Sequence, residues 1–203
     1  MKDKKETFKK VTKNQWILFF INVIYVLLFA IYFLSIKNYE FMIYIGVMII
    51  FITAISYFHL KFNFSTQSLI GISLWGLMHM LGGSVYIKGT RLYDYILISI
   101  IPKYQILKYD QFVHFYCYVI ITILCYEILK NYLNKDSNKY VLSLFLVFVG
   151  MGIGALNEIV EYLAVLIVPT TGVGDYTNTM LDIIFNTMGA ILAVIYIRFR
   201  ERK

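Results

Sequence analysis

Along this chain, apolar positions come in long blocks, not at the short periods that mark soluble helices and strands. After a lysine-rich start, six predominantly apolar stretches run over Gln15–Ile36, Phe41–Phe58, Ser68–Tyr86, Asp110–Leu129, Tyr140–Val168 and Thr179–Phe199. At 1.5 Å of rise per residue, each can cross about 30 Å of hydrocarbon. The pattern predicts six membrane-spanning helices. The fifth is long enough to require tilt, and Pro169 is placed to end it. The apolar segment Tyr95–Ile101 is too short to span. With Pro102 and the flanking charges it reads as an interfacial or re-entrant part of the third connection. No internal repeat or linker divides the chain. The reading is therefore a basic tail over 1–14 and a single transmembrane helical domain over 15–203.

Composition agrees. The 203 residues are 60% hydrophobic and 15% charged, with a mean hydropathy of +0.69. Soluble domains are about 45–50% apolar and about 25% charged, so the bilayer must be the solvent here. The net charge of +7 does not signal nucleic-acid binding, because the lysines sit in tails and loops beside apolar spans. Membrane lipids are the partner this implies. With the N-terminus inside, cytosolic segments hold fourteen of the nineteen Lys and Arg residues. The other five are Lys37, Lys88, Arg91, Lys103 and Lys108. That bias predicts an all-α, six-helix polytopic bundle with cytosolic N- and C-termini. The first apolar run is too long for a cleavable signal and lacks a small-residue cleavage site. Cys117 and Cys125 lie eight apart on one helix, about 12 Å by helical rise, too far for a disulfide.

The polar residues inside the spans share one depth. His79 lies near the outer end of the third span. Asp110 and His114 open the fourth at i,i+4 spacing, on one face. Glu158 and Glu161 stand at i,i+3 near the outer end of the fifth. Asp175 follows in the outer loop after Gly172 and Gly174, and Asp182 and Asn186 begin the sixth span at i,i+4. The helical groups lie roughly 5–15 Å below one boundary. This depends only on the parity of the spans. His59 is excluded, because it falls at the opposite end of the second span.

A charge at the membrane centre costs at least about 2.5–3.5 kcal/mol, so these groups must face the bundle or a wet cavity. Acids held this close cannot all ionise without protons, a divalent metal or basic partners. Bland readings exist for each. A single histidine serves as an interhelical hydrogen-bond partner, Asp110 as a helix cap, Asp182 as a match for the helix dipole, and Asp175 as a loop acid. Glu158 with Glu161 is harder to explain as glue, since like charges repel at that spacing. The glycines Gly150, Gly152 and Gly154 read as close helix packing.

These residues resemble the YjdF-like family of prokaryotic membrane proteins. The resembling blocks are His79-Met80-Leu81-Gly82-Gly83, Arg91-Leu92-Tyr93-Asp94, Tyr109 to His114, Asn157 to Glu161, and Gly174-Asp175 with Asp182. They cover about residues 75 to 192, and the first two helices carry no motif. The resemblance implies a multi-pass protein of a bacterial or archaeal plasma membrane and leaves its activity open. A looser likeness is to VanZ-like proteins, which pair Asp-x-x-x-His with a later Asp-x-x-x-Asn helix. Here the glutamine expected after the glutamate is replaced by Glu161 or Tyr162.

Three functions fit this reading. The first is a membrane-embedded enzyme acting on a lipid or lipid-linked head group from the outer face. It would use zinc, iron or manganese held by His79, His114 and Glu158. Glu161 or Asp182 would be the general base, and Arg91, Asp110, Asp175 and Asn186 would bind substrate. The second is a non-catalytic envelope accessory protein whose polar layer holds the bundle together. The third is a small ion-coupled transporter, which would need polar residues continuing toward the inner face, where these spans are almost purely apolar.

Overall fold

The computed structural model of the chain describes residues 10–134, 136–169 and 171–201. Lys2, Lys4, Lys5 and Lys9 of the basic tail, Lys135 of the fourth connection, and Arg202 and Lys203 lie outside the described residues. The chain forms six long helices: α1 (Lys13–Ser35), α2 (Tyr39–Phe62), α3 (Thr66–Ser84), α4 (Tyr109–Leu129), α5 (Lys139–Ile167) and α6 (Tyr176–Arg200). Every end falls within four residues of the boundary expected from hydropathy.

Local chemistry sets those ends. Thr12 and Gln15 form a reciprocal capping box at the start of α1. Asn38, Ser65, Asn138 and Asp175 accept from orphan amides at the starts of α2, α3, α5 and α6. Asn63 closes α2 in the left-handed conformation, with φ 58. α5 stops at Val168, which is extended, the conformation that Pro169 imposes on the residue before it.

α4 packs most closely against α6, α5 lies against both, α3 joins α4, and α1 contacts α2 and α3. Large apolar side chains such as Leu28, Ile31, Phe145, Leu166 and Ile195 point outward. In water such a surface would aggregate, whereas lipid solvates it. Five of the six helices are long and apolar enough to cross a membrane. α3 is not among them, because Gln67, Ser68, Ser73, His79 and four glycines lower its hydropathy. Its neighbours offset this by enclosing it: Ser68, Leu69, Ile72, Trp75 and Met80 are all buried.

The third connection is more ordered than its sequence suggests. Strands β1 (Tyr86–Ile87) and β2 (Thr90–Arg91) pair antiparallel around Lys88 and Gly89, whose φ angles are 51 and 83. Two consecutive positive φ values are the type I′ hairpin geometry, and glycine supplies one at no steric cost. A single 3-10 turn follows over Leu92–Asp94. The chain then runs out and back on itself, with Ile96 bridged to Lys108 and the Tyr109 amide donating to the Tyr95 carbonyl at 2.9 Å. The segment Tyr95–Ile101 does not re-enter the bundle, since Leu97, Ile98, Ile100 and Ile101 are exposed.

Fully buried Gln111 ties this strap to α4. Its Oε1 accepts from the Leu107 amide at 2.6 Å and the Lys108 amide at 3.1 Å. Those bonds hold Leu107 at φ 72, a costly conformation for a bulky residue. They also fix where α4 begins, and with it the register of Asp110 and His114.

Candidate functional site

α4 and α6 enter the bundle from the same end, so their first turns lie side by side. Asp110 and His114 thus meet Asn178, Asp182 and Asn186. α5 runs the other way and brings Glu158 and Glu161 in on its approach to Pro169. His114 is the centre. Its Nδ1 faces Asn186 Oδ1 at 3.1 Å and Glu158 Oε1 at 3.6 Å. Its Nε2 faces Asp110 Oδ1 at 3.5 Å and Glu161 Oε1 at 3.7 Å. Two donor sets, Asp110–His114–Asp182 and His114–Glu158–Glu161, each have their ligand atoms within 4.8 Å of one another.

Two amides satisfy part of this cluster. Asn178 Nδ2 donates to Asp182 Oδ2 at 2.7 Å and to Asp110 Oδ2 at 3.2 Å. Asn157 Nδ2 donates to Glu161 Oε1 at 2.8 Å. Glu158 Oε1 and Asp182 Oδ1 are buried with no hydrogen-bond partner. Four carboxylates surround one imidazole, which carries at most a single positive charge. A buried, uncompensated charge is among the most destabilising features a fold can hold. The cluster is therefore shaped for additional positive charge, either as protons or as a cation.

The remaining residues singled out from the sequence fall around this centre. His79 lies in an aromatic box, stacked on Trp75 and edge-on to Tyr44. Its Nδ1 is hydrogen-bonded to the Tyr93 hydroxyl. Burial raises the pKa of Tyr93, so its phenol keeps its proton. That bond engages Nδ1, and His79 belongs to neither donor set, although it lines the same pocket. Asp175 is exposed and accepts from the Asn178 amide at 3.0 Å, as the cap of α6. Asn186 contacts His114 directly.

Arg91 clamps the mouth of the pocket. Its Nε donates to Asp94 at 3.0 Å and one terminal nitrogen to the Gly172 carbonyl at 2.9 Å, while the other faces Glu40 at 3.7 Å. Glu40 in turn accepts from the Gly172 amide at 2.8 Å. Burial disfavours the charge on Arg91, but Asp94 and Glu40 outweigh it and its pKa is raised. The guanidinium thus pins the third connection to the fifth.

Glu40 and Asn178 were not picked out from the sequence, and Tyr93 entered only within the Arg91–Asp94 block, with no role given to it. The first two helices carry no motif of the resemblance, yet α2 supplies Glu40, whose partner Gly172 is 132 residues away. An acid in the first turn of a helix reads as a dipole match, and only the fold shows that it is buried.

The pocket enclosed by these groups is about 50 Å³, lined by Glu40, Tyr44, His79, Arg91, Asp110, His114 and Glu161 among others. At roughly 10–15 Å³ per water it holds a few waters or a partly hydrated ion. Glu158 and Asp182 lie beneath this lining.

Replacing Arg91 by alanine is expected to cost about 1–3 kcal/mol, because it leaves Glu40 buried without a counter-charge. The double variant with Glu40→Gln should recover part of that loss. Thermal unfolding in detergent of both single variants and the double closes the cycle.

No curated protein and no solved structure matches the chain. The likeness to VanZ-like proteins is not shown. One family model, described as a predicted membrane protein (DUF2238), matches residues 16–203. That range includes α2 to α6, all but the first three residues of α1 and every residue of the cluster, so the chain belongs to this family, the YjdF-like membrane proteins.

Proposed function

We propose that the chain is a six-span membrane protein with cytosolic termini that binds one divalent cation at the His114 cluster. We further propose that it uses the cation to activate water against an anionic lipid or lipid-linked head group at the outer face. The observation that carries this reading is the set of convergent donors, with Glu158 Oε1 and Asp182 Oδ1 buried and without a hydrogen bond. A mixed imidazole and carboxylate set suits manganese, iron or zinc. His114, the ligand common to both donor sets, would hold the ion with Asp110 and Asp182 on one side or with Glu158 on the other. Glu161 lines the pocket and is the carboxylate placed to take a proton from water. Arg91 at the mouth would have to release Asp94 or Glu40 to meet an anionic head group.

The asymmetry of Lys and Arg along the chain supports the orientation. Reporter fusions after Ser137 and Gly172 are expected to report opposite sides, with Ser137 in the cytosol. The reverse pattern, or a shared side, contradicts the topology.

The catalytic reading is tested with metal-replete protein in vesicles of anionic glycerophospholipid, following release of the phosphorylated head group. Release that is lost in Glu161→Gln while the metal is retained supports it. Bound metal without release in the wild type removes it. A cation-stabilised scaffold is the second reading, favoured by the amides that already organise Asp110, Asp182 and Glu161. A transport path is disfavoured by the packing beneath the cluster, where Thr122, Ala190 and Ala193 are fully buried.

A further inference from the structure

A second, larger cavity lies at the other end of the bundle, between α1, α2 and α3. It measures about 220 Å³ and is open on one side. Its walls are apolar for most of their length, with Leu18, Met48, Phe51, Ile52, Ile55 and Ile72 among them. Its polar wall is largely self-satisfied. Asn22 Nδ2 donates to Ser73 Oγ at 2.7 Å, Tyr25 donates to Asn22 Oδ1 at 2.8 Å, and Gln15 Nε2 bonds Thr66 Oγ1 at 3.4 Å. His59 is different. It is 7% exposed, lies against Phe64, lines the cavity, and has a buried Nδ1 with no partner.

We infer that this cavity holds one acyl chain of a lipid from the leaflet on the side of the chain termini, with the lipid's polar head at His59. Three observations select that occupant. The lining runs on α1 from Gln15 to Tyr25, about 15 Å by helical rise, which is half of a roughly 30 Å hydrocarbon core. The volume exceeds the roughly 150 Å³ of an apolar cavity that takes a benzene-sized guest. It is far too small for a partner helix, about 10 Å across with its side chains. Lysines are close in sequence to the lining: Lys10 and Lys13 lie within two residues of Val11 and Gln15, and Lys61 follows Leu60. An anionic head group placed there would sit among lysines, with one oxygen or hydroxyl in reach of the His59 ring. The site shares no lining residue with the pocket at His114.

The chain supplies its own reporters. Its two tryptophans, Trp16 and Trp75, both line the cavity. Trp16 is half exposed and also touches bulk lipid, whereas Trp75 is 9% exposed. In a Trp16→Phe background, vesicles of anionic phosphatidylglycerol with brominated acyl chains should quench Trp75 more than about twofold, as expected for bromine in van der Waals contact with the ring. Filling the cavity with Ile52→Phe and Ile55→Phe should abolish the quenching. In the unfilled protein, unbrominated phosphatidylglycerol should relieve it saturably, a readout independent of how the filled variant folds. His59→Leu should weaken the preference for phosphatidylglycerol over brominated phosphatidylcholine. An unquenched Trp75, or quenching that dilutes linearly with unbrominated lipid, overturns the proposal. Quenching that persists in the filled variant overturns it too.

Discussion

Replacing Gly189 by leucine is expected to force α4 and α6 apart and to abolish cation binding. A Cβ added at Gly189 would lie 2.3 Å from the Phe115 carbonyl oxygen and 3.1 Å from the Val119 amide nitrogen. These are backbone atoms of the facing helix, so no side chain can turn aside to make room. Overpacking in a core typically costs about 1–3 kcal/mol, and a clash with rigid backbone belongs at or above the top of that range. Gly189 lies one turn below Asn186, so any separation there also moves Asn186 and Asp182 away from His114. Gly46 is the control, with nothing within 4 Å of its added Cβ. Gly46→Ala should be neutral or stabilising by up to about 1 kcal/mol through helix propensity. Thermal unfolding in detergent of the two variants checks the contrast. Equal stability for Gly189→Leu and wild type would mean that the close approach of α4 and α6 is absent.

The second large effect is expected at His114. This ring is the one group common to both donor sets. Losing a partner outside the ligand shell typically lowers metal affinity about 10–100-fold, so losing the shared ligand in His114→Ala should lower it at least about 100-fold. In the wild type, a divalent cation at about 100 times its Kd should stabilise the fold by about 2.7 kcal/mol. In His114→Ala the same concentration should give almost no shift in Tm. The variant also loses the hydrogen bond to Asn186 and the only imidazole among four carboxylates, so its metal-free form should be less stable than the wild type. Unfolding with and without Mn²⁺ for both proteins measures the two effects together.

Much of this was legible in the chain because the membrane constrains it so tightly. Apolar blocks of bilayer length gave the helices to within a few residues, and span parity alone put His114, Glu158, Glu161 and Asp182 at one end. Their convergence follows from the cost of turning them toward lipid. Gly150 was readable as a packing residue and lies against Ala190 and Thr122. What escaped was anything decided by long-range pairing. Glu40 looked like a helix-start acid until Gly172 and Arg91 closed over it. His79 carried the same signal as His114. The difference lies in Tyr93, a residue of the third connection whose inward position hydropathy does not encode. The hairpin before Tyr93 rests on two residues, Lys88 and Gly89, too short a signal to stand out between spans.

The most direct test of the account is the metal content of the purified protein, measured by plasma mass spectrometry after exposure to manganese, iron and zinc and removal of the excess. The wild type should hold about one equivalent of one of these metals, whereas Glu158→Gln and Asp182→Asn, folded as judged by gel filtration and circular dichroism, should hold almost none. A wild type without stoichiometric metal, or variants that retain it in full, would contradict the claim that these buried carboxylates converge on a cation.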